Sequence, residues 1–364
     1  MPSTPCCSAA HDRSVTRDDR VVTGPARSES VTRSPHPRRV FLLGATGTIG
    51  RATVRALLER GHDVVCFIRP QTAARDAVTD DARLAALAGA TIRFGDVSDP
   101  TSLSRDGFQG EQFDAVVSCL ASRTGTPKDA WAIDHLAHVL ALTAARQSGI
   151  TQFVLLSAIC VQKPLLAFQQ AKLAFERTLI DSGVTYSIVR ATAFFKSLSG
   201  QIERVRAGKP FLLFGDGTLT ACKPISDADL GAYLADCLDD TSRHDHVLPI
   251  GGPGPAITPK QQGEHLSALL GRAPKFTHVP VAMLDVIVAV LGTLGRVIPA
   301  LAEKAELARI GRYYATESML VRDPVTGRYD ASATPETGTE TLFDYYAMLV
   351  HDKRGPERGD HAVF

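Results

Sequence analysis

Arg39-Val40-Phe41-Leu42-Leu43-Gly44-Ala45-Thr46-Gly47-Thr48-Ile49-Gly50-Arg51 is the stretch that decides the fold. A short apolar run ends in three glycines spaced three apart. An amphipathic stretch, 51–60, follows and closes at Gly61, and a second apolar run occupies 63–68. Strand, glycine turn, helix and strand fit within about thirty residues, the context in which such glycines read as a dinucleotide fingerprint. Each glycine has its own physical task. Gly44 allows the tight turn, Gly47 lets the backbone approach a pyrophosphate, and Gly50 lets the helix pack close to the strand. The helix N-terminus then offers free amides and a dipole that favours negative charge.

Working outward, the same alternation continues. Residues 90–94 predict a third strand, and Gly95-Asp96-Val97 predicts a turn whose acid and following amide contact an adenine. The near-continuous apolar run 113–120 predicts a central parallel strand, since such strands are covered on both faces. A helix is predicted over 130–147, ending at Gly149, and a fifth strand over 153–157. Alternating strands and helices with glycine turns mean an α/β fold with a doubly wound parallel sheet, a Rossmann-type NAD(P)-binding domain. The second strand ends at Ile68-Arg69-Pro70, with Arg69 where an acid would bind the ribose 2′-hydroxyl of NAD. A guanidinium there suits a 2′-phosphate, so the expected cofactor is NADPH. The expected cofactor-binding residues are Gly44, Thr46, Gly47, Thr48, Ile49, Gly50, Arg69, Asp96 and Val97.

Composition narrows the function classes. The 364 residues carry 40 Lys plus Arg against 39 Asp plus Glu, a net charge of +1, which argues against a nucleic-acid binder acting through bulk charge. Seven cysteines without a CxxC pair fit neither a disulfide framework nor a zinc site and point to a reducing compartment. The adjacent Cys6 and Cys7 read as an accident of tail composition. The histidines are scattered. His135 and His138 sit three apart on a predicted helix and read as helix surface, so no metal is expected. Neither a Gly-x-Ser-x-Gly elbow nor a phosphate loop ending Gly-Lys-Ser/Thr occurs, which sets hydrolases and NTPases aside.

The chain divides into a polar tail, 1–37, a dinucleotide domain, 38–200, a smaller C-terminal α/β substrate part, 201–350, interleaved with the last strands of the sheet, and a second tail, 351–364. The first tail lacks the apolar run needed to offset its ordering entropy and is expected to be disordered. It also lacks a secretory apolar region. It is rich in Ser and Arg, but Asp12, Asp18, Asp19 and Glu29 make it more acidic than a transit peptide. A cytoplasmic protein is therefore expected, with a chloroplast location the lesser alternative. In the C-terminal part, Thr258-Pro259 followed by Gln261 predicts a capped helix start. Residues 281–299 are strongly apolar, but Asp285 and Arg296 leave too few residues between them to span about 30 Å of hydrocarbon. This stretch reads as a helix of the substrate part with peripheral membrane contact in view, a buried helix being the plainer alternative.

The glycine fingerprint, the Gly95-Asp96 turn and the strand ending in Ser157 resemble the extended or atypical short-chain dehydrogenase/reductase superfamily, including its NmrA-like and isoflavone-reductase-like members. That resemblance implies a Tyr-x-x-x-Lys pair on the helix after the serine. Lys172 is present, and Phe168 stands where the tyrosine belongs. A closer resemblance follows from Leu156–Leu165, Ala191–Gly200, Phe214–Thr218, Ala221–Ser226, Ile250–Pro259 and Arg312–Met319. Together these stretches, over roughly residues 38 to 350, are similar to the NADPH-dependent 8-vinyl reductases of divinyl chlorophyllide a in chlorophyll and bacteriochlorophyll synthesis.

What the resemblance implies is reduction of a conjugated carbon–carbon double bond on a Mg-tetrapyrrole. Such a bond has no carbonyl oxygen needing a tyrosine, so Phe168 is consistent with it. Lys172 is the expected catalytic residue, binding the nicotinamide ribose or acting as an acid, with water the other proton source. Phe168, Phe194 and Phe195 are expected to line an apolar slot for the flat ring, although ordinary core is the commoner fate of a phenylalanine. Two alternatives stand beside this reading. One is another atypical reductase of a conjugated double bond or a quinone, and the other is a non-catalytic NADP-sensing protein.

Overall fold

The apolar runs become strands β1 (Arg39–Leu43), β2 (Asp63–Ile68), β3 (Thr91–Phe94), β4 (Ala115–Ser118), β5 (Gln152–Ala158) and β6 (Thr185–Ala191). A computed structural model describes residues 36–70 and 84–352 of the chain. The expectations for Cys6 and Cys7, for residues 1–35 of the N-terminal tail and for residues 353–364 lie outside the described residues. Further along come β7 (Phe211–Phe214), β8 (His246–Ile250) and β9 (Phe276–Val279). Among the described residues, seven strands form one parallel sheet in the order β3-β2-β1-β4-β5-β6-β8. β8 comes from the C-terminal half of the chain and forms an edge of this sheet, so the two halves are interleaved.

Both faces of the sheet are covered, which is why its strands read as unbroken apolar runs. Val40 and Leu42 point to one face, into a core shared with Val64, Cys66, Val117 and Val154. Phe41 and Leu43 point to the other, with Val65, Phe67, Val116 and Phe153. Phe41 stacks on Phe108 at a ring separation of 4.1 Å and meets Phe113 edge-on at 5.3 Å, an arrangement aromatic quadrupoles favour. The first face is covered by the helices Thr48–Glu59 and Asp227–Asp236. The second is covered by helices that include His138–Gln147 and Ala167–Ile180.

The chain builds outward from β1 to β2 and β3, then returns to place β4 on the other side of β1. At such a reversal the connections leave in opposite directions, and a crevice opens beyond the carboxyl ends of β1 and β4.

The C-terminal part holds a parallel pair, β7 with β9, and the helices Pro259–Leu269 and Leu342–His351. The first of these helices starts as its sequence predicts. The Gln261 N–H donates to Thr258 Oγ1 at 3.3 Å, and the Thr258 N–H donates to Gln261 Oε1 at 2.8 Å. Tyr346 is fully buried beside Phe195, Ile202 and Phe211, and its hydroxyl donates to the Leu198 carbonyl at 2.6 Å.

The apolar stretch forms the helix Val281–Leu294, which turns back as Pro299–Thr316, with Asp285 paired to Arg312 across the two. Val281–Leu294 has no buried residue, and Val286 is 61 % exposed. The buried-helix alternative is therefore not what the fold adopts. Among the described residues the helix packs chiefly on Pro299–Thr316, and its apolar side chains on the other side are exposed. Among the described residues, no helix is long and apolar enough to cross a membrane.

A close joint between helices is at Gly231, where a Cβ would come within 2.7 Å of the Ala52 backbone. Gly231→Val should push Asp227–Asp236 off Thr48–Glu59 and cost about 1–3 kcal/mol, the range for overpacked cores. A lowered urea midpoint with unchanged slope is the expected reading.

Candidate active site

The glycine turn is built from close backbone approach. Gly44 ends β1 with φ +78°, and a Cβ there would lie 2.5 Å from the Cys119 carbonyl carbon beyond β4. A Cβ on Gly50 would sit 2.1 Å from the Gly44 oxygen. Both positions thus exclude any side chain. The Gly47 N–H donates to that same oxygen at 3.2 Å, and Gly47 stands at the N-cap of Thr48–Glu59. No side chain caps this helix, and no acid occupies its first turn. Uncapped amides at a helix start want an anion. The cradle therefore fits a pyrophosphate. Arg51 braces it, its guanidinium donating to the Thr46 carbonyl at 2.9 Å. Thr46 is exposed and Thr48 half-buried, whereas the Ile49 side chain is core.

The other expected cofactor residues lie at the same edge of the sheet. Arg69 is exposed, directly after β2. Asp96 follows β3. Its N–H donates to Ser102 Oγ at 3.0 Å, and its carboxylate accepts the Ser98 N–H at 2.8 Å, so part of its hydrogen-bonding capacity holds the turn. The Val97 side chain is buried in the core beneath.

Lys172 lies on Ala167–Ile180, the helix after β5. Its side chain is only 13 % exposed, and its Nζ donates to Asp134 Oδ1 at 2.9 Å. Asp134 is buried in the π-type turn Trp131–Ala137, which interrupts a helical stretch from Pro127–Ala130 to His138–Gln147. Its carboxylate also accepts the Ser122 hydroxyl at 2.6 Å and the Ser122 N–H at 3.2 Å. Sequence reading missed Asp134 and Ser122. The available signal was an acid between Ile133 and Ala137, on a helix face otherwise apolar.

His138 corrects another expectation. It is not helix surface but 1 % exposed, its Nε2 2.8 Å from Ser118 Oγ and its Nδ1 2.9 Å from the Ile133 carbonyl oxygen. Burial, aided by the Lys172 charge, pushes its pKa down to about 4. The i,i+3 spacing from His135 shows helix periodicity but not which face the sheet covers. Ser157, the serine at the strand end, donates to the buried Glu176, which also receives Arg190.

The three phenylalanines lie in three different clusters. Phe168 packs with Ile159, Cys160, Ile310 and Tyr313, one helical turn from Lys172 on the same face. Phe194 packs at the edge of the sheet core. Phe195 is buried near Tyr346, with its ring 5.5 Å from that of Tyr345. The Tyr313 hydroxyl donates to the Cys160 carbonyl at 2.9 Å.

Residues 44–241 match the NAD(P)H-binding family. The chain is 48% identical over 337 residues to divinyl chlorophyllide a 8-vinyl-reductase, chloroplastic, of Oryza sativa subsp. indica, covering 91% of this chain and 83% of that one. The Arabidopsis thaliana protein of the same name is 47% identical over 336 residues, with 90% and 81% covered. Among solved structures, the leucoanthocyanidin reductase–NADPH complex from Vitis vinifera is similar with a TM-score of 0.62 and 16% identity, covering 86% of this chain and 99% of that one. At that identity the likeness concerns the fold.

The His138 environment makes a prediction. A histidine held neutral when folded takes up its proton more readily when unfolded, so it removes stability as pH falls from about 6.5 towards 4. His138→Gln should flatten the rise of stability with pH across that window, read from urea midpoints at several pH values.

Proposed function

The chain belongs to the divinyl chlorophyllide a 8-vinyl-reductase family, and from that premise we propose that it reduces the C8 vinyl group of 3,8-divinyl chlorophyllide a to ethyl at the expense of NADPH. The carrying observation is the identity of 48% with the rice protein, which runs over 91% of the chain and so includes both the sheet and the C-terminal part. The reaction adds a hydride and a proton across one carbon–carbon bond. NADPH supplies the hydride when bound.

The glycine cradle at Gly44, Gly47 and Gly50, with the amides of Thr48 and Ile49, holds the pyrophosphate. Arg69 takes the 2′-phosphate, and Asp96 and Val97 flank the adenine. Residues 38–200 serve the cofactor, and 201–350 complete the side of the site that faces the pigment. Lys172 orients the ribose and is the ammonium from which a proton is handed on. Support for this role is its low exposure and its pairing with a buried carboxylate. Phe168 has no proton to give, and a vinyl group leaves no oxygen that needs one. Half-buried Phe194 offers an apolar face to the macrocycle, whereas Phe168 and Phe195 are buried in two other clusters.

Purified protein with NADPH and 3,8-divinyl chlorophyllide a should give the monovinyl pigment, seen as a blue shift of the Soret band and a new chromatographic peak. NADH should give lower kcat/KM. Lys172→Met should lose turnover by about 100-fold or more, the scale of a removed proton-transfer group. Bound NADPH without any pigment reduction would overturn the reading and favour an NADP sensor.

Peripheral membrane contact is the second part of the proposal. Met283, Val286, Ile287, Val290 and Leu294 recur at helical spacing and are exposed. The acid of this helix, Asp285, is paired to Arg312, and Arg296 and Lys304 stand exposed, with Glu303, where the two helices join. An apolar face with cations at its end suits the boundary of an anionic bilayer. The protein should float with phosphatidylglycerol-containing vesicles, and Val286→Asp with Val290→Asp should leave it at the bottom of the gradient.

A further inference from the structure

We propose that Asp134 is the positioning residue of Lys172: it acts through the ammonium group, without touching substrate or cofactor, and holds Nζ at the crevice edge of the sheet. The inference rests on the role given to Lys172 above.

The argument starts from the cost of the carboxylate. Asp134 is 1 % exposed, and a buried charge is expensive unless it is paired and hydrogen-bonded. Its donors come from two separate segments. The Ser122 N–H and hydroxyl approach at 3.2 and 2.6 Å, and Lys172 Nζ at 2.9 Å. Ser122 lies just past the end of β4, and Lys172 lies on the helix after β5. Asp134 thus ties the loop that borders the crevice to the helix carrying the amine.

Two further observations favour a functional tie over a structural one. The acid sits in a π-type turn, an irregularity that is rare within helices and frequent at functional sites. Its neighbour His138 is held neutral at neutral pH by burial, with both ring nitrogens already engaged, so it does not compete for the carboxylate. A lysine ammonium is a point charge on a flexible four-carbon stem. Fixing it with one buried hydrogen bond removes rotamer freedom before the cofactor arrives, which favours binding and alignment.

A double-mutant cycle tests this. Asp134→Asn, Lys172→Met and the double variant are compared by NADPH affinity, from fluorescence quenching without pigment, and by kcat and KM for 3,8-divinyl chlorophyllide a. Asp134→Asn should weaken NADPH binding and lower kcat by about tenfold each, as for loss of a hydrogen bond to a charged group. KM for the pigment should stay within about twofold. In the Lys172→Met background Asp134→Asn should add no further loss. The same loss in both backgrounds, or none in either, overturns the inference. Wild-type binding and turnover in Lys172→Met itself would instead remove the Lys172 reading on which it rests. Should Asp134→Asn fail to fold, Asp134→Glu keeps the charge and displaces it by one methylene. Weakened NADPH binding and lowered kcat in that variant support the proposal, and wild-type values overturn it.

Discussion

Two backbone groups govern where everything else lies. The Gly44 carbonyl and the Gly50 α-carbon pass so closely that a Cβ would sit 2.1 Å from the oxygen. This contact presses Thr48–Glu59 onto the end of β1 and aims its uncapped amides into the crevice between β1 and β4. The packing of Asp227–Asp236 on that helix, through Gly231, follows from the same placement. So does the position of Arg69, since β2 is paired in parallel register with β1 from Arg39 opposite Asp63 to Leu43 opposite Phe67. The cradle thus depends on an absence of side chains, and Arg69 and Asp96 stand at the ends of the neighbouring strands.

Across the crevice the design is electrostatic. The half of the sheet edge on β4, β5 and their helices carries a buried carboxylate bonded to an ammonium, and a buried histidine bonded separately to Ser118. Beside it Phe168, Ile310 and Tyr313 pack in one buried cluster, the last two contributed by Pro299–Thr316. The C-terminal helices therefore do more than extend the protein. They cover the face beside Phe168 while leaving the outer side of Val281–Leu294 bare. One helical hairpin so packs Ile310 and Tyr313 inward against Phe168 and exposes apolar side chains outward.

Much of the fold could be read from local pattern. Burial on both faces of a parallel sheet forces continuous apolar runs, so 40–43, 63–68, 113–120 and 153–157 announced their strands. The glycines announced the turn because only a residue without Cβ fits there. Thr258-Pro259 announced a capped helix, since the cap is local chemistry. The same legibility failed for His138, because periodicity shows that residues share a face but not what covers it. For 281–299 apolarity left a surface helix and a buried helix both open, and the fold leaves Val281–Leu294 without a buried residue.

The sequence by itself determined the alternation of strands and helices, the glycine turn after β1 and the place of Lys172 one turn from Phe168, because each depends on residues within a few positions of one another. Only the tertiary structure decided that Asp134, 38 residues away, would be buried against that lysine, and that Tyr313 would close over Cys160 from 153 residues away. Such pairings are selected by desolvation. A carboxylate or hydroxyl removed from water must find a partner, and which one it finds depends on the segments that the sheet brings together.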